Sequence, residues 1–336
     1  MVARAAIFGC EGLTLGAEER AFFAKSDPWG FILFARNLDT AGQIKALTCD
    51  LRDAVGRDAP ILIDQEGGRV DRFTREILTR FPPALDHADR HADTTAAAHV
   101  MSLRAALTAV ELAELGIDVN CTPVLDIART DTHPVIANRC LGRDADRVSA
   151  LGRAMADAML AQGSLPVIKH MPGHGRSALD THHDLPTIEA PLEELERTDF
   201  APFRALNDLP MGMTGHLLIP ALDGDHCATL SSKVVDYVRT KIGFQGLVMT
   251  DDFSMGALSG ALGARTQAAL SAGCDLILHC NGQRAEMEVV ADHAGHLSDA
   301  AQDRAARALA LRHAPVATAA DLRAQLLAQE AQIHAA

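Results

Sequence analysis

Three short stretches of the chain concentrate side chains that can move protons or attack carbon. The densest is Lys169-His170-Met171-Pro172-Gly173-His174-Gly175-Arg176, with Asp180-Thr181-His182-His183-Asp184 close behind. Pro172, Gly173 and Gly175 predict a loop rather than a helix, and adjustable catalytic groups sit on loops. Histidine on such a loop can serve as acid and base near neutral pH, its unperturbed pKa being about 6.5. The same residues could instead form a solvated surface loop. A zinc site built from His170, His174, His182 or His183 is a further alternative, although no pair stands at i and i+4 on a recognisable helix.

The second stretch, Thr250-Asp251-Asp252-Phe253-Ser254-Met255, closes an apolar run. Neighbouring strand residues face opposite sides, so one of the two carboxylates is expected to face a site. An aspartate capping the following helix is the plainer alternative. In the third stretch, Asp64-Gln65-Glu66-Gly67-Gly68-Arg69-Val70-Asp71-Arg72-Phe73, paired glycines permit a tight turn. That turn would let Asp64 and Arg72 face one pocket as acceptor and donor, whereas ordinary salt bridging accounts for Glu66 and Arg69.

The elements that must position these groups alternate. Apolar runs at Ala5–Phe8, Gly30–Phe34, Pro60–Ile63, Ile117–Val119, Pro166–Ile168, Met211–Met213, Leu247–Met249 and Asp275–Leu278 predict buried strands. Between them, helical spacing predicts helices over Thr40–Val55, Thr94–Leu115, Ala145–Gln162, Pro191–Leu206, Ser231–Ile242 and Ala261–Ala272. Thr40 and Ser231 stand where caps belong, and Pro191 fits a first helical turn.

Eight strands alternating with helices fit either a closed (β/α)8 barrel or a doubly wound sheet. Polar residues decide between them: Asp64, Lys169-His170, His216, Asp251 and His279 follow five of the runs. In a barrel those strand ends converge on one mouth, and no Gly-x-Gly-x-x-Gly opens a helix after the first strand. The expectation is an α/β protein with a single (β/α)8 TIM-type barrel domain over residues 1–336, ending in a helical tail from about residue 300.

Composition narrows the function. The 336 residues carry 31 Lys+Arg against 44 Asp+Glu, a formal charge of −13, which disfavours nucleic acid and anionic membranes as partners. The most apolar longer stretch, Ala96 to Ala113, is interrupted by His99, Arg104 and Glu111, so no membrane span is expected. No secretion signal is visible at the start. Seven cysteines at scattered spacings, without a CxxC, fit reduced thiols in a cytoplasm.

With Pro123-Val124-Leu125-Asp126-Ile127 added in its place, the three clusters resemble family 3 glycoside hydrolases, specifically the single-domain bacterial β-N-acetylhexosaminidases of cell-wall recycling. The pieces follow the family's order from about residue 30 to 280. Met171 stands where the family usually has Phe, and Thr181 where it usually has Ser.

The resemblance implies Asp251 as nucleophile, His182 as general acid/base and Asp180 as its orienting carboxylate, with no metal and no cofactor. It further implies that Asp64, Arg72, Arg139, Lys169 and His170 bind the sugar at the nonreducing end, Arg139 lying in Val135-Ile136-Ala137-Asn138-Arg139-Cys140-Leu141-Gly142. Were His182 not the acid/base, His174 or Glu66 would be next in line. Aromatic residues are only 4% of the chain, whereas long polysaccharide clefts offer aromatic faces, so a short pocket and exo action are expected. The implied substrate is a small soluble N-acetylglucosamine-containing muropeptide or disaccharide. A family 3 phosphorylase, a β-glucosidase and a noncatalytic sugar-binding barrel remain as alternatives.

Overall fold

Apolar runs of two to seven residues form the eight strands: β1 (Arg4–Gly9), β2 (Pro28–Leu33), β3 (Ile61–Ile63), β4 (Val119–Asn120), β5 (Leu165–Met171), β6 (Met211–Thr214), β7 (Leu247–Asp252) and β8 (Leu276–His279). The computed structural model describes residues 2–73, 76–91, 93–177 and 185–333. Each strand pairs in parallel with the next, and β8 returns to β1 through Ala6–Phe8 opposite Ile277–His279. Closure removes every sheet edge, and the fold is the expected (β/α)8 barrel.

Side chains alternate across the barrel wall as period two demands. Ile7, Leu62, Val119, Val167, Met211, Met249 and Leu276 form one buried cluster, which Leu297, Ala301, Ala305 and Ala308 close at the end where the strands begin. The alternate residues, among them Phe8, Phe31, Ile61, Ile168 and Val248, pack against the surrounding helices. The opposite end, where the strands finish, is left for polar residues.

Several helix starts match their signals. Thr40 accepts from the Gln43 amide at 3.2 Å and caps helix Ala41–Val55, and Ser231 likewise caps Ser232–Tyr237. Helix Thr94–Ala113, long and apolar enough to cross a membrane by composition alone, is instead mostly buried, packed on helices Ala145–Leu160 and Ala319–Ile333. Helices Asp299–Leu309 and Ala319–Ile333 follow the last strand.

Other expectations need correcting. The helix expected over Pro191–Leu206 is two, Leu192–Arg197 and Ala201–Ala205. Pro202 has no N–H and its ring would clash with the Thr198 carbonyl four residues earlier, so the chain breaks there. The helix expected over Ser231–Ile242 ends at Tyr237 and continues as a wider turn over Val238–Ile242. Strand β5 runs on through Lys169, His170 and Met171, so these three belong to the barrel wall rather than to the loop that begins at Pro172.

Candidate active site

The ends of β3, β5 and β7 and the segment after β4 bring the predicted residues to one cavity of about 200 Å³ at the barrel mouth. Asp64, Arg72, Arg139, Lys169, His170 and Asp251 all line it, together with Arg69, His174 and Asp252. The volume lies below the roughly 300–1,000 Å³ usual for drug-sized ligands and suits one sugar ring.

The β3 end is set by a turn with no room for side chains. Gly67 and Gly68 adopt φ of 89° and 60°, and a Cβ on Gly67 would meet the Arg104 guanidinium at 2.4 Å. Asn120 on β4 clamps Gln65 from both sides, accepting from its amide at 2.9 Å and donating to its carbonyl at 3.0 Å. Asp64 therefore leaves the barrel at a fixed angle.

There it accepts from Lys169 Nζ at 2.8 Å and from Arg72 Nη2 at 3.0 Å. Glu66 receives both Nε and Nη2 of Arg139 at 2.8 Å, and Lys169 Nζ lies 2.6 Å from its Oε1. Burial would raise both carboxyls, but the Lys169 and Arg72 charges hold Asp64 well below the usual carboxylate range, and Arg139 with Lys169 brings Glu66 to about 2. Lys169, 1% exposed, is conversely held protonated: burial opposes its charge, but Asp64 and Glu66 outweigh that cost. A carboxylate this acidic cannot donate a proton near neutral pH, which removes Glu66 as a stand-in acid/base.

His170 is oriented by Asp126, whose Oδ2 lies 2.6 Å from Nδ1, and Asp126 Oδ1 also accepts the His174 amide at 2.7 Å. The ring of His174 meets that of His170 edge-on at 5.6 Å, and burial pushes its pKa down to about 4, so it is neutral. Among the described residues its two ring nitrogens have no hydrogen-bond partner. The Thr132 hydroxyl donates to the Gly175 carbonyl and the His133 amide to that of Ser177, tying the segment after β4 to the loop after β5.

Asp251 and Asp252 both reach the cavity, contrary to the expected alternation. Between Met249 and Asp252 strand β7 advances three residues while β8 advances two, and this bulge breaks the two-sided pattern. Their environments still separate them. Asp252 caps its own turn, Oδ1 accepting the Ser254 and Cys280 amides at 3.0 Å each, whereas Asp251 accepts only the Asp252 amide at 2.8 Å and has no ion pair among the described residues. Burial alone would raise the Asp251 pKa, yet His170 and His216 nearby lower it, so the carboxylate is ionised and free to react. His216 is buried behind it, with Nε2 3.1 Å from the Asp252 carbonyl.

Sequence reasoning passed over Asp126 and His216 as functional residues, although both follow apolar runs. It read Glu66 and Arg69 as ordinary salt bridging. Glu66 is indeed ion-paired, as the hub for Arg139 and Lys169, whereas Arg69 has no ion pair among the described residues. His279 lies outside the cavity, 3.3 Å from Glu286. Asp180, Thr181, His182 and His183 lie outside the described residues. Among the described residues no group of three or more His, Cys, Asp or Glu side chains is arranged to hold a metal ion.

The model of the glycosyl hydrolase family 3 N-terminal domain matches residues 12–311, nearly the whole barrel. The chain belongs to glycosyl hydrolase family 3. This family 3 chain is 36% identical to a β-hexosaminidase of Bordetella parapertussis over 277 residues, 80% of this chain and 78% of that protein. Its fold is similar to NagZ from Neisseria gonorrhoeae in complex with N-trifluoroacetyl-D-glucosamine, with a TM-score of 0.86 and 28% identity over 99% of this chain and 98% of that one. A family 3 β-N-acetylglucosaminidase from a Paenibacillus species superposes with a TM-score of 0.83 and 32% identity, covering 91% of this chain but only 60% of that longer one. These similarities group the family 3 chain with β-hexosaminidases, as its motifs led one to expect.

Proposed function

We propose that this family 3 hydrolase is a retaining exo-β-N-acetylglucosaminidase, releasing terminal N-acetylglucosamine from small soluble peptidoglycan fragments in the cytoplasm. The observation that carries the reading is Asp251: an ionised carboxylate without an ion-pair partner among the described residues, at a strand end, in a cavity of one-sugar size lined by paired cations.

Asp251 attacks the anomeric carbon as the bond to the leaving oxygen breaks, and His182 gives that oxygen a proton. The sugar is then held as an ester on Asp251. His182 takes a proton from water, the water attacks the same carbon, and the sugar leaves with its configuration retained. Asp180 orients His182 and stabilises its cation. Asp64, Arg72, Arg139, Lys169 and His170 fix the ring through its hydroxyls: Lys169 and the arginines donate, and Asp64 accepts. Similarity to a β-N-acetylglucosaminidase and to NagZ in complex with N-trifluoroacetyl-D-glucosamine supports the acetamido sugar, and seven free cysteines, six of them buried, support a reducing compartment.

The test pairs chromogenic N-acetylglucosaminides with glucosides, with and without inorganic phosphate. The reading expects N-acetylglucosaminide turnover that is independent of phosphate. Formation of a sugar 1-phosphate, or a preference for glucosides, would overturn it. Turnover should also survive exhaustive chelation, and activity lost to chelation and restored by zinc would revive the histidine-ligand alternative.

A further inference from the structure

The bulge that brings Asp251 into the cavity interrupts the regular pairing of β7 with β8, and side chains take over the hydrogen bonds there. On the β8 side, the Thr250 hydroxyl accepts the Leu278 amide at 3.0 Å and Asp252 Oδ1 accepts the Cys280 amide at 3.0 Å. On the β6 side, the Asp252 carbonyl meets Nε2 of His216 at 3.1 Å, and the amide of that same peptide group, from Phe253, bonds the Leu278 carbonyl at 2.9 Å. The peptide group after Asp252 is therefore gripped at both ends. The one before it donates to Asp251 Oδ1 at 2.8 Å. Imidazole and nucleophile thus hold the two peptide groups that flank a single Cα, so a rotation allowed at one is felt at the other.

The His216 ring is itself fixed. A carbonyl only accepts, so Nε2 carries a proton and donates it to Asp252. Nδ1 lies 2.8 Å from the Thr229 hydroxyl, which is 2.9 Å from Thr214 Oγ1 and 3.1 Å from the Gly215 carbonyl. Burial pushes the His216 pKa down, so the ring is neutral and Nδ1 accepts the one hydroxyl proton of Thr229, while Thr214 donates to Thr229 in turn. A doubly protonated ring would instead turn that proton to Gly215. His216 and Thr229 are fully buried and Thr214 is 3% exposed, so the relay runs shielded from solvent.

We propose that His216 is a positioning residue for the nucleophile: held by Thr229 and Thr214, it pins the Asp252 carbonyl and through that backbone aims the Asp251 carboxylate. The proposal rests on the reading of Asp251 as nucleophile and adds the device that orients it. His216 acts from behind the cavity wall, through the chain rather than on the sugar.

The test compares His216→Phe, His216→Gln and His216→Asn on an activated aryl N-acetylglucosaminide, with thermal melts to confirm folding. Phe keeps a ring and loses both donor and acceptor. Gln places an amide nitrogen at the reach of Nε2, whereas Asn places one only at the reach of Nδ1. His216→Phe should lower kcat by about thirtyfold to a hundredfold with KM within about threefold, because a misaimed nucleophile weakens the transition state rather than ground-state binding. His216→Gln should recover kcat to within about fivefold of the wild type, and His216→Asn should not. Thr229→Val removes the hydroxyl at nearly constant shape, leaves His216 in place, and should lower kcat by about threefold to tenfold at unchanged KM; it decides the question if His216→Phe does not fold. Wild-type kcat in a folded His216→Phe or in Thr229→Val, equal kcat in the Gln and Asn variants, or a KM rise that matches the kcat loss would overturn the proposal. In each of these cases, labelling of wild-type Asp251 by a slow fluorinated substrate leaves the nucleophile reading standing. A wild-type label on any other residue would overturn that reading and this proposal with it.

Discussion

Arg139 donates from Nε and Nη2 to the two oxygens of Glu66, both at 2.8 Å, across 73 residues of sequence. This fork, with Lys169 on the same carboxylate, holds two of the proposed sugar-binding cations through a residue that itself reaches no substrate hydroxyl in the proposed arrangement. Glu66→Ala would strand Arg139 without its partner in a buried site and is expected to cost about 3–5 kcal/mol of stability. Glu66→Gln keeps the volume but only half the acceptor capacity. It should raise KM for an aryl N-acetylglucosaminide by roughly tenfold with a smaller change in kcat. A kcat loss at unchanged KM would instead place Glu66 in the chemical step.

Asp251 and Asp252 both line the cavity, so their roles separate by hydrogen bonding rather than by facing. A slow fluorinated substrate should leave its sugar on Asp251, detected by mass spectrometry, and Asp251→Asn should lower kcat by more than about a thousandfold. Asp252→Asn weakens acceptance of the Ser254 and Cys280 amides and should show mainly as roughly 1–3 kcal/mol lost in melts. A labelled Asp252 would reverse the assignment.

What the sequence made legible was local. Apolar runs ending in a polar residue marked strands and mouth together, and Thr40 and Ser231 announced their helices. The break at Thr198 was also written, in Pro202, but helical spacing on either side concealed it. The β7 bulge was not readable, because it arises from unequal advance of β7 and β8, a property of their pairing. Nor was the Glu66, Arg139 and Lys169 cluster: its members come from three separate barrel segments, and only closure brings them together.

Acid should expose the carboxylate pairs. Glu66 has a folded pKa of about 2 against an ordinary 4.5, so its ionised form stabilises the fold above pH 4.5, and that stabilisation is lost as pH falls through 2. The difference corresponds to something on the order of 3 kcal/mol. Melting temperature should fall steeply over this window in the wild type and less steeply in Glu66→Gln. Parallel curves for the two would mean that other groups govern acid unfolding.

Histidine as acid/base predicts a dependence on leaving group. His182→Ala should cripple substrates whose leaving oxygen needs a proton and spare activated aryl glycosides when glycosylation is the step followed. Asp180→Ala should show a milder form of the same pattern. An equal loss across all leaving groups would assign His182 to binding, leaving His174 as the neighbouring imidazole to examine.

The helix Ala319–Ile333 is connected to the site by a buried chain of hydrogen bonds. Arg104 is 2% exposed, donates through Nη2 to the Glu66 carbonyl, and has Nη1 3.0 Å from His87 Nδ1. Burial, reinforced by the Arg104 charge, takes His87 down to about 3, so the ring is neutral. Because Arg104 can only donate, His87 Nδ1 accepts, the proton sits on Nε2, and Nε2 donates to Glu330 at 3.2 Å. His87→Phe keeps the ring but removes the acceptor, leaving a buried guanidinium group unsatisfied. The expected result is a loss of about 2–3 kcal/mol in stability and a higher KM, as the turn carrying Glu66 loosens. Glu330→Ala, at the partly exposed end of the same chain, should cost below about 1 kcal/mol and leave KM within twofold. A His87→Phe variant with a lowered melting temperature and wild-type KM would reduce the chain to a purely structural tie.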